Sequence, residues 1–389
     1  MLKFYNDEDT NQTYVVDMYD QSKEVISQEK LGILMQLYNI QQTDSTSVNR
    51  QGVITVEEGD EPKDLRSKIS RINRKTKNRK IKYMKIVGHS SQITELHYIF
   101  KDVNVVFLDL SEFDTSSVTD MSYMFSDECA IKNIKFGGKF TTKNVTDMTG
   151  MFKNSSIEYL DLSSFDTSNV TNMYGMFNNF ETPNLSLEGL NLSNVENMES
   201  MFTSARINNL NLGYMNSTNC KNMVNMFCKC SLNNLSGELY TSNVEDMSGM
   251  FREFNLMAST KSQVLNLSYF DTSRVSKMRS MFEGLHMWEL SLDGWKLDNI
   301  DDMSYMFKLA AITSVDAGNW DYGSRVDPDD YDDEEYEPNA QYADYTFQID
   351  ENEEFFGIVM RGMFEGANIG NIHPYNLYHF YESFVDGNN

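Results

Sequence analysis

The chain has 389 residues, 58 of them acidic and 33 basic, giving a net charge of −25 at pH 7. That surplus opposes nucleic acid and anionic membranes over most of the surface and favours basic or neutral partners. A mean hydropathy of −0.49 and the absence of any apolar run approaching about 18 residues argue against a membrane-spanning helix, and four cysteines are too few for a disulfide framework.

Residues 1–20 lack the basic start and apolar core of a secretory signal. That leaves a cytoplasmic chain, one exported by another route, or a component of a virus or phage particle. Val25, Ile26, Leu31, Leu34 and Leu37 predict an amphipathic helix over Ser22–Tyr38, and Gln51–Val56 reads as a short strand. Lys63–Lys85 holds eleven basic residues in twenty-three positions. Three readings stand side by side: an anion site for nucleic acid or an acidic partner, a solvated basic helix burying Leu65, Ile69 and Ile72, or a complement to the acidic stretch near the C-terminus. Residues 1–85 are assigned to an N-terminal cap, which a stacked array needs over its first coil.

From residue 86 to 320 one phrase recurs. Met173-x-x-Met176-Phe177 returns as Met121/Met124/Phe125, Met148/Met151/Phe152, Met198/Met201/Phe202, Met223/Met226/Phe227, Met247/Met250/Phe251, Met278/Met281/Phe282 and Met303/Met306/Phe307. Successive Phe positions differ by 27, 25, 25, 25, 24, 31 and 25 residues, the mark of a solenoid with one supersecondary unit per coil. Ile93, Leu96, Ile99 and Phe100 read as a degenerate first coil, and Met360/Met363/Phe364 as a last coil displaced by an insertion.

Each unit divides into two halves. Leu160-x-Leu162, Leu185-x-Leu187, Leu210-x-Leu212, Leu265-x-Leu267 and Leu290-x-Leu292 alternate as a strand with one buried face does. Counting from Val170, apolar residues at +3, +6 and +7 suit one face of a short helix, and Ser193–Glu196 and Ser242–Glu245 fit a capping box. The expected fold class is therefore an α/β repeat solenoid, with coils of short parallel strand plus short helix and a cap at each end. Thr115, Thr142, Thr167, Thr241 and Thr272, with Asn144, Asn169, Asn194, Asn219, Asn243 and Asn299, are expected to form hydrogen-bonded ladders in the bend. Asp114, Asp166 and Asp271 make no calcium row, because Thr141, Asn191, Asn216, Tyr240 and Lys296 interrupt the slot. Cys220 reads as core, and Cys228-x-Cys230 lacks a nearby His for a metal site.

The phrase L-x-L-S-x-F-D-T-S-N-V-T-x-M-x-x-M-F, nearly whole at Leu160–Phe177 and Leu265–Phe282, resembles the bacterial surface protein repeat, the BspA-like class of leucine-rich repeats. Cys129 and Cys230 match a Cys slot of that repeat. The resemblance implies a solenoid used for adhesion or recognition, frequently on cell surfaces, and no reaction.

After Phe307 the pattern dissolves. Residues 321–354 are expected to be an acidic insertion, with eight carboxylates between Asp327 and Glu337, and 355–389 a last repeat and aromatic-rich C-terminal cap. No H-E-x-x-H, nucleophile elbow or P-loop is present, so the chain reads as non-catalytic, with no cofactor and no metal. Its expected function is recognition of, or adhesion to, a protein or glycan ligand. The alternative is a structural subunit of a phage or virus particle, docked on neighbouring subunits through its caps. The residue between the two Leu of each strand points outward, and with the position three further on this selects Asp109, Asp161, Asn211, Tyr214, Asn266 and Tyr269 as partner-binding candidates.

Overall fold

The computed structural model describes residues 2–7, 12–17, 23–26, 52–75, 81–101, 103–127, 130–257, 263–318, 320–321, 354–355 and 358–373. The chain divides into two compact units, residues 1–53 and 54–389. In the first, β1 (Leu2–Asp7), β2 (Gln12–Asp17) and β3 (Lys23–Ile26) form an antiparallel sheet in that order. The helix expected over Ser22–Tyr38 is therefore corrected at its start. Val25 pairs with Tyr14 in β3, where β-branched Val25 and Ile26 favour the extended backbone. The rest of that segment, Cys129, the acidic run Asp327–Glu337 and the aromatic stretch after Pro374 lie outside the described residues.

The second unit is a parallel β-solenoid. At its N-terminal end β4 (Val53–Val56) leads into α1 (Pro62–Lys75), which opens on a proline and buries Leu65 and Ile69 with Ile72 packed beside them. The basic segment thus takes the form of a helix as far as Lys75, on which Lys63, Arg66 and Arg71 are exposed. Next come β5 (Ile81–Gly88), β6 (Asn104–Phe113) and β7 (Ala130–Lys135), whose sheet has the order β4-β5-β6-β7. A second sheet holds β8 (Glu181–Ser186), β9 (Arg206–Met215), β10 (Ser231–Leu239) and β11 (Asn255–Leu256) in parallel register. A third begins with β12 (Val264–Asn266), β13 (His286–Ser291) and β14 (Ala311–Asp316). Past the short antiparallel pair β15 (Glu354–Phe355) and β16 (Ile358–Val359), β17 (Asn368–His373) pairs with β14, so the outlying copy at Met360 continues the stack.

The α/β composition expected for the coils is not what forms. The Met-x-x-Met-Phe half contains no helix. Met173, Gly175, Phe177 and Asn179 donate their N–H groups to Asn197, Glu199, Met201 and Thr203 of the next coil, while Met176, Asn178 and Phe180 donate three residues back. A bridge ladder joins Glu95, Asp120, Asp147, Asn172, Asn197, Asn222, Asp246, Lys277 and Asp302 at the start of this half. The physical reason is a left-handed residue twice per coil. Gly175 has φ 56° and Asn179 φ 51°, and the same two columns hold Tyr123 and Asp127, Ser200 and Ser204, Gly249 and Glu253. A residue at positive φ ends a right-handed helical run, and every second amide then points to the neighbouring coil. The capping boxes are corrected with it: Glu196 donates its N–H to Thr171 O rather than starting a helix.

Core packing follows the repeat. Phe100, Phe125, Phe152, Phe177, Phe202, Phe227, Phe251, Phe282, Phe307 and Phe364 stack one on the next, with centroids 5.3–6.0 Å apart and planes within 22°. The Met columns flanking this stack are fully buried. Two polar ladders run through the bend. The buried Thr142, Thr167, Thr241 and Thr272 hydroxyls donate forward to the carbonyls of Asp166, Asn191, Asp271 and Lys296. The Asn144, Asn169, Asn194 and Asn299 amides donate backward to Ser116, Lys143, Ser168 and Ser273. Each coil is closed by its neighbours, as nearest-neighbour stability requires.

Candidate recognition face

The outward rows of the second sheet are rich in amides. Asn184, Asn209 and Asn234 are in register, and Asn209 donates to Asn184 Oδ1 at 2.7 Å while Asn234 donates to Asn209 Oδ1 at 2.6 Å. Two residues on, Ser186, Asn211 and Ser236 form a second row on the same face. These side chains lie outward because Leu185 and Leu210 between the rows, and Leu187 and Leu212 just after the second, are buried. Beyond the second row the chain turns, and Asn211 Oδ1 accepts the Gly213 N–H at 2.9 Å. Gly213 has φ 62°, and a Cβ there would lie 2.8 Å from Glu188 Cα, so the coils meet backbone to backbone at this corner.

A cleft of about 560 Å³ opens beside that corner, lined mainly by Glu188, Leu190, Asn191, Asn211, Tyr214 and Asn216. Tyr214 is 65 % exposed, and its ring lies 4.8 Å from that of Tyr240, whose hydroxyl donates to Tyr214 Oη at 2.6 Å. This hydrogen bond, with burial and the Glu238 carboxylate, pushes the Tyr240 phenol up to about 12. Burial raises the Tyr269 phenol as well, and the same Glu238 acts on it. Tyr269 is 49 % exposed, beside Val264 and Asn266 of β12.

The six predicted residues are thus divided. Asn211 and Tyr214 line one cleft, and Tyr269 lies outside its lining, with its ring against Phe270. Asn266 is exposed, and its Oδ1 accepts the Ser268 N–H at 3.0 Å. Asp161 is exposed and accepts the Ser163 N–H at 3.0 Å, ahead of the second sheet. Asp109 is corrected: it is buried, accepting from the Tyr83 hydroxyl at 3.0 Å and from the Ser111 N–H at 3.0 Å. Tyr83 of the adjoining strand covers it, which the Leu-x-Leu period alone does not reveal. Sequence reasoning missed Glu188, Asn191, Asn216, Glu238 and Tyr240 as site residues. A signal existed, because the slot that holds Asp114 and Asp166 changes to Asn191, Asn216 and Tyr240 in three successive coils. Elsewhere Asp114, Asp166 and Asp271 hold turns through Ser116, Ser168 and Ser273, and among the described residues no three His, Cys, Asp or Glu side chains converge as a metal site. Cys220, Cys228 and Cys230 are free and buried.

One family profile, described as "Mycoplasma protein of unknown function, DUF285", matches at residues 73–157, 127–238, 154–262 and 231–334. No match was found among curated proteins or among solved structures. The expected membership of the BspA-like leucine-rich repeats is corrected by this match, and a coil without a helix agrees with the correction. With four overlapping matches running from residue 73 to 334, the chain belongs to the DUF285 family.

Proposed function

We propose that this protein is a non-catalytic recognition or adhesion protein whose ligand lies on the outward face of the second sheet. The observation that carries the reading is the exposed Tyr214, its ring 4.8 Å from that of Tyr240 and its hydroxyl bonded to Tyr240, next to a cleft lined by side chains with hydrogen-bonding capacity. Exposed tyrosines offer large, rigid contact area and are enriched at binding hot spots. The solenoid keeps them on a scaffold braced from both neighbouring coils, so little conformational freedom is lost on binding. The sequence supports the same reading by offering no nucleophile and base in a catalytic arrangement.

Attachment of beads coated with the full chain to cultured animal cells tests the proposal. Asp161→Lys combined with Tyr214→Ala and Tyr269→Ala should lower attachment about tenfold or more with the thermal midpoint nearly unchanged. Failure of the wild-type beads to attach overturns recognition. Attachment that survives the triple change but disappears when residues 1–62 are deleted assigns docking to the ends of the chain, as in a subunit of a particle.

A further inference from the structure

The chemistry of the cleft narrows the class of ligand. Its lining residues are Glu188, Gly189, Leu190, Asn191, Asn211, Gly213, Tyr214 and Asn216. None carries a positive charge, and the chain as a whole has a net charge of −25, so a phosphate, sulfate or carboxylate ligand would meet repulsion without a partner. The apolar residues of the lining are Leu190, itself buried, and the exposed Tyr214, so the one large apolar surface offered to a ligand is the face of an aromatic ring. Three side-chain amides and one carboxylate supply the rest. An amide presents two N–H donors and two acceptor lone pairs. Asn191 Oδ1 already accepts from the Ser193 N–H and hydroxyl, and Asn211 Oδ1 from the Gly213 N–H, so these two meet a ligand hydroxyl chiefly as N–H donors. A carboxylate accepts from a hydroxyl more strongly than a neutral group does.

We infer that the cleft at Glu188, Asn191, Asn211, Tyr214 and Asn216 binds a neutral oligosaccharide. A sugar ring has one face of C–H groups that packs on an aromatic ring and a rim of vicinal hydroxyls that bond to amides and carboxylates. The exposed Tyr214 ring, held at its hydroxyl by Tyr240, supplies the first surface. Asn191, Asn211, Asn216 and Glu188 supply the second. A volume of about 560 Å³ lies in the range of small-ligand sites. The Asn184, Asn209 and Asn234 ladder extends the polar face across three consecutive strands, so a longer chain of sugars continues over it along the stacking direction.

The inference rests on the recognition function proposed above. The test uses the full chain with defined probes: cello-, chito-, manno- and galacto-oligosaccharides, and sulfated and sialylated oligosaccharides as the anionic set, followed by titration calorimetry at low and high salt. The expected result is saturable binding of a neutral probe, insensitive to salt. Tyr214→Ala and the isosteric Glu188→Gln should each weaken it about tenfold, with circular dichroism unchanged. Binding by no probe, by anionic probes only, or with wild-type affinity in both variants overturns the inference. A cell-attachment arm separates loss of the oligosaccharide from loss of recognition. Periodate oxidation of the cells, strong enough to cleave the ring diols of neutral sugars, should abolish attachment. Attachment that resists periodate but is lost after protease treatment overturns the oligosaccharide while leaving recognition standing, whereas absence of attachment by untreated cells overturns recognition itself.

Discussion

Truncation of Phe202 to alanine tests the aromatic stack at its middle. The ring is fully buried, with Phe177 at 5.5 Å and 4° on one side and Phe227 at 5.3 Å and 8° on the other. Removing a buried phenylalanine costs about 3–5 kcal/mol through lost transfer energy and the cavity left behind. Of that, two offset-stacked pairs account for about 1–3 kcal/mol, at roughly 0.5–1.5 each. Phe202→Leu separates the parts: it refills most of the volume but removes both stacked pairs, so it should lose about 1–3 kcal/mol. Urea unfolding followed by far-ultraviolet circular dichroism supplies both values. Tryptophan emission adds a reporter several coils away, because the buried Trp295 packs on Phe282 of the same stack at 6.2 Å. A loss below about 1 kcal/mol for Phe202→Ala, or equal losses for both variants, would refute the account in which stacking and volume contribute separately.

Three further outcomes follow from the same structure. Thr167→Val keeps the shape of a fully buried side chain but strands the Asn191 carbonyl that its hydroxyl serves at 2.7 Å, so it should cost about 1–3 kcal/mol in the same urea assay. Gly213→Ala places a Cβ at φ 62° against Glu188 Cα, and should lower the thermal midpoint while deforming the cleft, whereas Gly189→Ala meets nothing within 4 Å and should act through backbone strain at φ 89° alone, leaving the cleft's packing in place. Burial pushes the Cys220 thiol from 9.0 up to about 12. Because the folded value lies above the unfolded one, the stability it contributes is complete below pH 9.0 and is lost as pH rises toward about 12. Cys220→Val, which restores the residue found at Val170, Val195 and Val244, should therefore reduce the alkaline fall in the urea midpoint. Buried Cys230 and half-buried Tyr83 are shifted in the same direction and keep part of that fall.

The repeat, its period and its core were legible in the sequence because burial imposes the same side chains on every coil. Met173, Met176, Phe177 and Leu185 recur in register, and each is buried. Phe100 and Phe364 were placeable for the same reason, and both join the stack. The backbone of the Met-Phe half was not legible from its apolar spacing. Residues at i, i+3 and i+4 face one way on a helix, and they also face one way in a chain of tight turns. Gly150, Gly175 and Gly249, and Asn154 and Asn179, marked the difference, since these types tolerate the positive φ that closes each turn. Only the stacked structure decides where every second amide of this half goes, because those acceptors lie about a coil away in sequence. The recognition face divides along the same line. Alternation alone placed Asn211 and Tyr214 on the surface, since strand period dictates which side chains leave the core. That Asp109 is covered by Tyr83, and that Tyr240 bonds to Tyr214, depends on contacts between different coils, which no single repeat encodes.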